Sequence, residues 1–220
     1  MAGLSVVTAP TSEPITRSEA KDFLRVDTSD DDTLIDVLIE TARQFCEEYI
    51  GRTLINTTYK LSLDGFIEDQ VPIKEGLYQA PYMNFYKRFI PLARPPLVSV
   101  TSLKTFTDDD TESTFASSKY YVDNQREPGR IVLRDGETFP TSLRVANAVE
   151  ITYVGGYGSS ANNVPSPIKV GMREHITYLY EHRGDLEPNL ANFPLIAKKL
   201  YQPYRVLSFS NNPFSNSGGY

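Results

Sequence analysis

The sequence predicts an α+β fold: helices toward both ends of the chain, a β-rich antiparallel stretch between them, and an extended C-terminal tail. Three features point there. Apolar residues recur at helical period between Asp31 and Ile50 and again after Ser166, and between those stretches the period falls to two. In addition, 15 prolines, 13 glycines and 14 tyrosines without a tryptophan argue for many turns and strands rather than an all-helical bundle. A length of 220 residues suits one large domain, or a core carrying an elaborated insert. With 40% hydrophobic and 23% charged residues, the composition is that of a globular protein.

The elements follow in order. Thr16 and Glu19 have capping-box spacing, and Ala20, Phe23 and Leu24 then give a short first helix its apolar face. After a polar break, Leu34, Leu38, Ala42, Phe45 and Tyr49, flanked by Ile35, Ile39, Cys46 and Ile50, form a wide stripe. It predicts a helix from about Asp31 to Ile50, with aspartates at its positive end and Gly51 as its stop. Alternation at Tyr59, Leu61 and Leu63 reads as a strand. So do Val98, Val100 and Leu103, then Tyr120, Tyr121 and Val122, then Ile131, Val132 and Leu133, and last Val149, Ile151 and Tyr153, before the Gly155-Gly156 pair. Residues 69–91, rich in Tyr, Phe and Pro, have no clean period and read as loop with one strand at most. Ser166 as cap with Pro167 behind it opens a helix whose buried stripe is Ile168, Met172, Ile176 and Leu179, ending at Gly184. A last short helix starts after Asn192, has Pro194 in its first turn, turns Leu195, Ile196 and Leu200 inward, and stops before Pro203. From Ser208 onward the Ser, Asn and Gly residues lack the apolar area to offset ordering and read as a mobile tail.

Candidate chemistry is sparse. His175 and His182 stand seven apart on one predicted helix with no further ligands at metal spacing, so they read as satisfied surface or interface histidines and no metal site is expected. Cys46, the single cysteine, reads as a small core residue rather than a nucleophile, and it excludes an internal disulfide framework. Gly155, Gly156 and Gly158 lack the lysine and spacing of a phosphate loop and read as a tight turn. Asp30, Asp31 and Asp32 lack the ligand pattern of a calcium loop. No catalytic residue and no cofactor is expected. No apolar run approaches the roughly 18 residues of a membrane span, so neither a signal for export nor a membrane partner is expected.

Charge gives the one feature that survives. From Asp27 to Glu48 the chain carries eight acidic residues and one basic residue, Arg43, while the whole chain carries −6. Two readings stand open: a helix with a solvated acidic face, or a face bordering a space through which a polyanion moves without sticking. The net negative charge argues against nonspecific grip on nucleic acid.

The order of the segments resembles one family. The run Ala20-Lys21-Asp22-Phe23-Leu24-Arg25-Val26-Asp27 is followed by Asp31-Asp32, Leu34-Ile35 and Glu48-Tyr49-Ile50-Gly51-Arg52-Thr53-Leu54-Ile55. Then come Arg94-Pro95-Pro96-Leu97 with Val100-Thr101-Ser102-Leu103, Tyr121-Val122-Asp123, Gly129-Arg130-Ile131 and Val154-Gly155-Gly156-Tyr157-Gly158. Val164-Pro165, Tyr180-Glu181-His182-Arg183 and Leu200-Tyr201-Gln202-Pro203-Tyr204-Arg205-Val206 close the series. In this order they resemble the head-tail connector, or head completion (neck adaptor), proteins of tailed bacteriophages, of the gp6-like and phage gp8-like kind. The resemblance spans residues 14–206. Residues 69–91 are longer than the family leads one to expect, and the tail after Val206 matches no family motif.

The resemblance implies a small α-helical core from the two chain ends, interrupted by a β-rich insertion. That divides the chain into residues 1–55, the N-terminal part of the core; 56–158, the insertion; 159–207, the C-terminal part of the core; and 208–220, the tail. It implies a noncatalytic virion protein, a homo-oligomeric ring of about twelve copies beneath the portal that extends the DNA channel. Its other partners would be the portal protein and the next neck or tail protein, whether stopper, tail terminator or tail tube. Double-stranded DNA would pass through the lumen without specific binding, and assembly would take place in the bacterial host cytoplasm. On this basis Asp31, Asp32, Asp36 and Glu40 are expected to line the channel, and Tyr204, Arg205, Phe209, Phe214 and Tyr220 to dock on the portal. The tyrosine excess suits subunit interfaces as well as half-exposed strands. Rival expectations are another virion adaptor, for tail completion or baseplate, and a glycan-binding or hydrolytic module on the β segment.

Overall fold

A computed structural model describes residues 3–66, 89–183 and 194–206. The fold is mixed α+β: among the described residues there are four α-helices and two antiparallel sheets. In chain order these are β1 (Gly3–Thr8), α1 (Arg17–Leu24), α2 (Asp32–Ile50), β2 (Thr57–Leu63), β3 (Phe89–Pro91) and β4 (Leu97–Phe106). β5 (Glu112–Thr114), β6 (Tyr120–Asp123), β7 (Arg130–Leu133), β8 (Val149–Gly155), α3 (Ser166–Glu181) and α4 (Leu195–Tyr201) follow. The described chain falls into two compact units, one of residues 3–9 with the described part of 57–155, the other of 10–56 with the described part from 156 to 206.

In the helical unit, local sequence sets where each helix starts and stops. Thr16 caps α1 through its hydroxyl, which accepts from the Glu19 amide at 3.2 Å, and the Glu19 carboxylate accepts from the Thr16 amide at 2.9 Å. Gly51 ends α2 at φ +70, where a side chain would be strained. α2 buries Ile35, Ile39, Ala42, Cys46 and Ile50. The expected centre line through Leu34, Leu38 and Tyr49 lies at the margin of this face, only partly buried, and Phe45 is 40% exposed. α3 begins one residue earlier than its sequence suggests, with Pro165 rather than Ser166 at the cap position. It buries Ile168, Met172 and Ile176 as expected, together with Gly171 and His175, whereas Leu179 is half-buried.

α4 corrects its expectation. Ala197 and Tyr201 face the core, while Leu195 and Ile196 are 65% and 58% exposed. The reason is the close approach to α3: a Cβ on Gly171 would lie 2.5 Å from Cε1 of Tyr201, so the largest ring on α4 fills the notch glycine leaves and sets the helix's rotation. The expected helix ends at Gly184 and Asn192 lie outside the described residues, as do residues 69–88 and the tail from Ser208.

In the β unit, the larger sheet has order β1-β2-β8-β4-β5 and the smaller β3-β7-β6. β2 and β8 pair in register from Thr57 with Gly155 to Leu63 with Val149, and both alternate buried with half-buried residues as their sequences dictate. β4 carries two register shifts against β8, at Leu97/Ser99 and Val100/Ser102. Its inward residues are therefore Leu97, Leu103 and Thr105, while Val98 points out. Residues 3–8, grouped by the sequence reading with the helical part, instead form β1 on the β2 edge, exposed along almost its whole length. β5 was also not foreseen. Tyr153 spans the core and donates its hydroxyl to the Ala93 carbonyl at 2.9 Å.

Two predictions follow from the helical core. Gly171→Ala drives a methyl group into the Tyr201 ring and costs about 1–3 kcal/mol, read as a lower denaturant midpoint; an unchanged midpoint contradicts the close packing. His175 is 2% exposed, and burial lowers its pKa from 6.5 to about 4. The folded protein therefore keeps the ring neutral while the unfolded chain takes up a proton. The stability this represents is present above about pH 6.5 and is lost as pH falls toward 4, up to about 3 kcal/mol. Relative to His175→Leu, the wild type loses more stability between pH 7 and pH 4.5; parallel profiles count against a buried neutral imidazole.

Candidate functional site

The acidic stretch meets its counter-ions in three dimensions. Arg17 and Lys21 stand four apart on α1, and Asp32 and Asp36 four apart on α2, so each pair presents one face of its helix to the other. The Arg17 guanidinium donates Nε to Asp36 Oδ1 at 2.7 Å and Nη2 to Asp36 Oδ2, and its Nη1 reaches Asp32 at 3.3 Å. Lys21 Nζ donates to Asp32 Oδ1 at 2.6 Å and to the Thr28 carbonyl at 2.7 Å. The Lys21 hydrogen bond holds the Asp32 carboxyl below its ordinary range, and the Asp36 hydrogen bond raises Arg17. Asp31 accepts from the Tyr180 hydroxyl of α3. Glu40 accepts from Gln44 at 3.1 Å and lies 3.8 Å from Arg43.

Arg43, the only base within the stretch, is buried and bound from both sides. Its Nε donates to Glu13 at 2.8 Å and its Nη1 to Glu47 at 3.1 Å. Burial raises the Glu13 carboxyl, against the opposing pull of Arg43. Glu47 also accepts from the Leu54 amide at 2.8 Å. Five carboxylates, Glu13, Asp32, Asp36, Glu40 and Glu47, thus share three cations, Arg17, Lys21 and Arg43. These eight side chains carry two net negative charges. A tally of residues 27–48 misses two of the three cations because they belong to α1.

Beside this network a cleft of about 490 Å³ opens between the segment leading into α1, the α2 face and the turn at Ser159–Ala161. Ile15 and Ile39 lie at its base, and Glu13, Arg17, Asp36 and Glu40 at its rim.

The other expected site residues fall elsewhere. Tyr204 and Arg205 are engaged within the helical unit: the Tyr204 carbonyl accepts from Arg52 Nε at 2.5 Å, and the Arg205 guanidinium lies 4.9 Å from the centre of the Tyr49 ring. The amide of Val206 donates to the Ile50 carbonyl at 2.8 Å, so this strip closes the end of α2. Phe209, Phe214 and Tyr220 lie outside the described residues. His175 is a core residue with Phe45 edge-on at 5.5 Å, where a surface or interface position was expected; His182 stacks on Tyr178 at 4.3 Å. Cys46 is fully buried, and burial raises its thiol. Among the described residues no group of three or more His, Cys, Asp or Glu could hold a metal ion. No described helix is long and apolar enough to cross a membrane.

Residues 15–83 match the family described as phage gp6-like head-tail connector protein, which bears out the resemblance over α1, α2 and β2. Comparison with curated proteins returns no match. Among solved structures, the fold is similar to a chain of "Neck of empty GTA particle computed with C6 symmetry". The TM-score is 0.73 at 20% identity, over 96% of this chain and 98% of that one. A chain of "Virion of native gene transfer agent (GTA) particle" gives 0.70 at 19% identity over 95% and 98%. A chain of "Neck of native GTA particle computed with C12 symmetry" gives 0.69 at 20% over 96% and 98%. At these identities the likeness is one of fold.

Because its partners are aspartates on the neighbouring helix, Arg17→Ala should lower the thermal midpoint in dilute buffer. The difference from wild type should shrink in about 1 M salt, where the screening length falls to roughly 3 Å. A deficit of equal size in both buffers points to lost packing rather than lost charge.

Proposed function

We propose that this chain is a noncatalytic structural subunit of a virion neck, a head-tail connector that forms a ring below the portal and joins it to the next neck or tail component. The observation that carries this reading is the fold likeness over 96% of the chain to a protein of a particle neck. The family match over residues 15–83 supports it from the sequence side. Six-fold and twelve-fold symmetry, named for the similar necks, supports a homo-oligomer of about twelve copies. A repeated heterologous contact closes into such a ring when its rotation divides the circle.

In this role the portal, the next neck or tail protein and further copies of the chain are the partners. Packaged DNA passes through the lumen without specific binding, in keeping with the net charge of −6. In this reading Asp31, Asp32, Asp36 and Glu40 line the channel, the three aspartates with part of their charge offset by their contacts to Tyr180, Lys21 and Arg17. Docking on the portal falls to the tail beyond Val206, with Phe209, Phe214 and Tyr220 as its aromatic anchors. Tyr204 and Arg205 fix the base from which that tail leaves.

The test is to mix the purified chain with the purified portal oligomer of the same particle and weigh the complex. A mass of portal plus about twelve copies is expected. One or two bound copies contradict the ring, and no binding contradicts the connector.

A further inference from the structure

α4 carries an unusual outer face. Leu195 and Ile196 are exposed side by side, and Lys198 and Lys199 are exposed one turn further on. Neither lysine has an ion-pair partner among the described residues. Residues 194–206 contain no acid and carry three positive charges, Lys198, Lys199 and Arg205. The core face of this helix, Ala197 and Tyr201, is fully buried, and the outer face stands exposed among the described residues. Covering two adjacent branched aliphatics would remove apolar area from water and favour a contact there.

The cleft beside α2 has the complementary chemistry. Its floor lies over the buried Ile15 and Ile39, its rim carries Glu13, Asp36 and Glu40 with Arg17 between them, and the charge network around it is negative by two. Glu40 at that rim is 58% exposed and Asp36 44%. An apolar and basic ridge on one side of the helical unit thus matches an apolar and acidic cleft on the same chain, which is what a head-to-tail contact between copies requires.

We propose that α4 of one copy docks in the cleft of the next. Leu195 and Ile196 lie toward the cleft floor above the buried Ile15 and Ile39, and Lys198 and Lys199 lie toward Glu40 and Asp36. The inference rests on the ring reading above and names its contact.

The test titrates variants onto the portal oligomer and counts bound copies by mass. The wild type sets the concentration of half-loading. K198E/K199E raises it by about tenfold or more through like-charge apposition. Adding E40K to that pair brings it back to within about threefold of wild type, which only direct apposition of the two surfaces explains. All three side chains are exposed, and circular dichroism checks that each variant is folded. A second readout uses E40C/K199C on the loaded portal: oxidation yields covalent dimers and longer ladders if the contact forms. Cys46 is buried and does not interfere. If K198E/K199E loads as well as wild type, if E40K gives no rescue, or if only monomer is seen after oxidation, this contact is wrong while the ring stands. If the wild type fails to load, the connector reading itself fails.

Discussion

Two backbone hydrogen bonds hold the exit and re-entry of the β segment side by side, and the division of the molecule depends on them. The Asn56 amide donates to the Gly158 carbonyl at 2.9 Å, and the Tyr157 amide to the Leu54 carbonyl at 3.2 Å. Gly156 makes the approach possible. Its φ is +143, and a Cβ there would lie 2.6 Å from the Asn56 nitrogen. With its ends fixed at neighbouring points, the segment from Thr57 to Gly155 can be long and elaborate at little cost to the helical core, because closure entropy grows slowly with length. The helical unit in turn is completed by residues from both sides of the excursion, α1 and α2 before it and α3 and α4 after it.

Within that unit the most constrained group is the Arg43 guanidinium. A buried cation is tolerated only where carboxylates and hydrogen bonds replace its water. Glu13, Glu47 and the more distant Glu40 do so here. The arrangement ties the segment ahead of α1 to the middle of α2 and, through the Leu54 amide on Glu47, to the chain as it leaves for the insertion. The acidity of α2 is therefore largely structural. What remains at the surface is a modest negative patch beside a cleft.

Much of the fold was legible from local chemistry. The Thr16/Glu19 box, the Gly51 stop and the alternation in β2 and β8 are short-range patterns, and each is present where those residues put it. What escaped has long-range causes. β1 has little burial pattern to betray it, because only Leu4 packs against the core and the rest is exposed and held by pairing with β2. β5 is three exposed residues recruited by β4. The rotation of α4 is set by the Gly171 notch, on another helix, and a hydrophobicity pattern that puts Leu195 and Ile196 inward cannot register it. The charge balance of the candidate site was hidden in the same way. The acidic run was visible, but Arg17 and Lys21 cancel part of it from α1, and a tally along α2 does not contain them. The i, i+4 spacing of both pairs was the available signal.

The most direct measurement is electron cryo-microscopy of the intact particle at the vertex where head and tail meet. The account predicts a ring of about twelve copies there, with density into which the helical unit and the β unit each fit. A particle that lacks this polypeptide, or carries it away from that vertex, contradicts it.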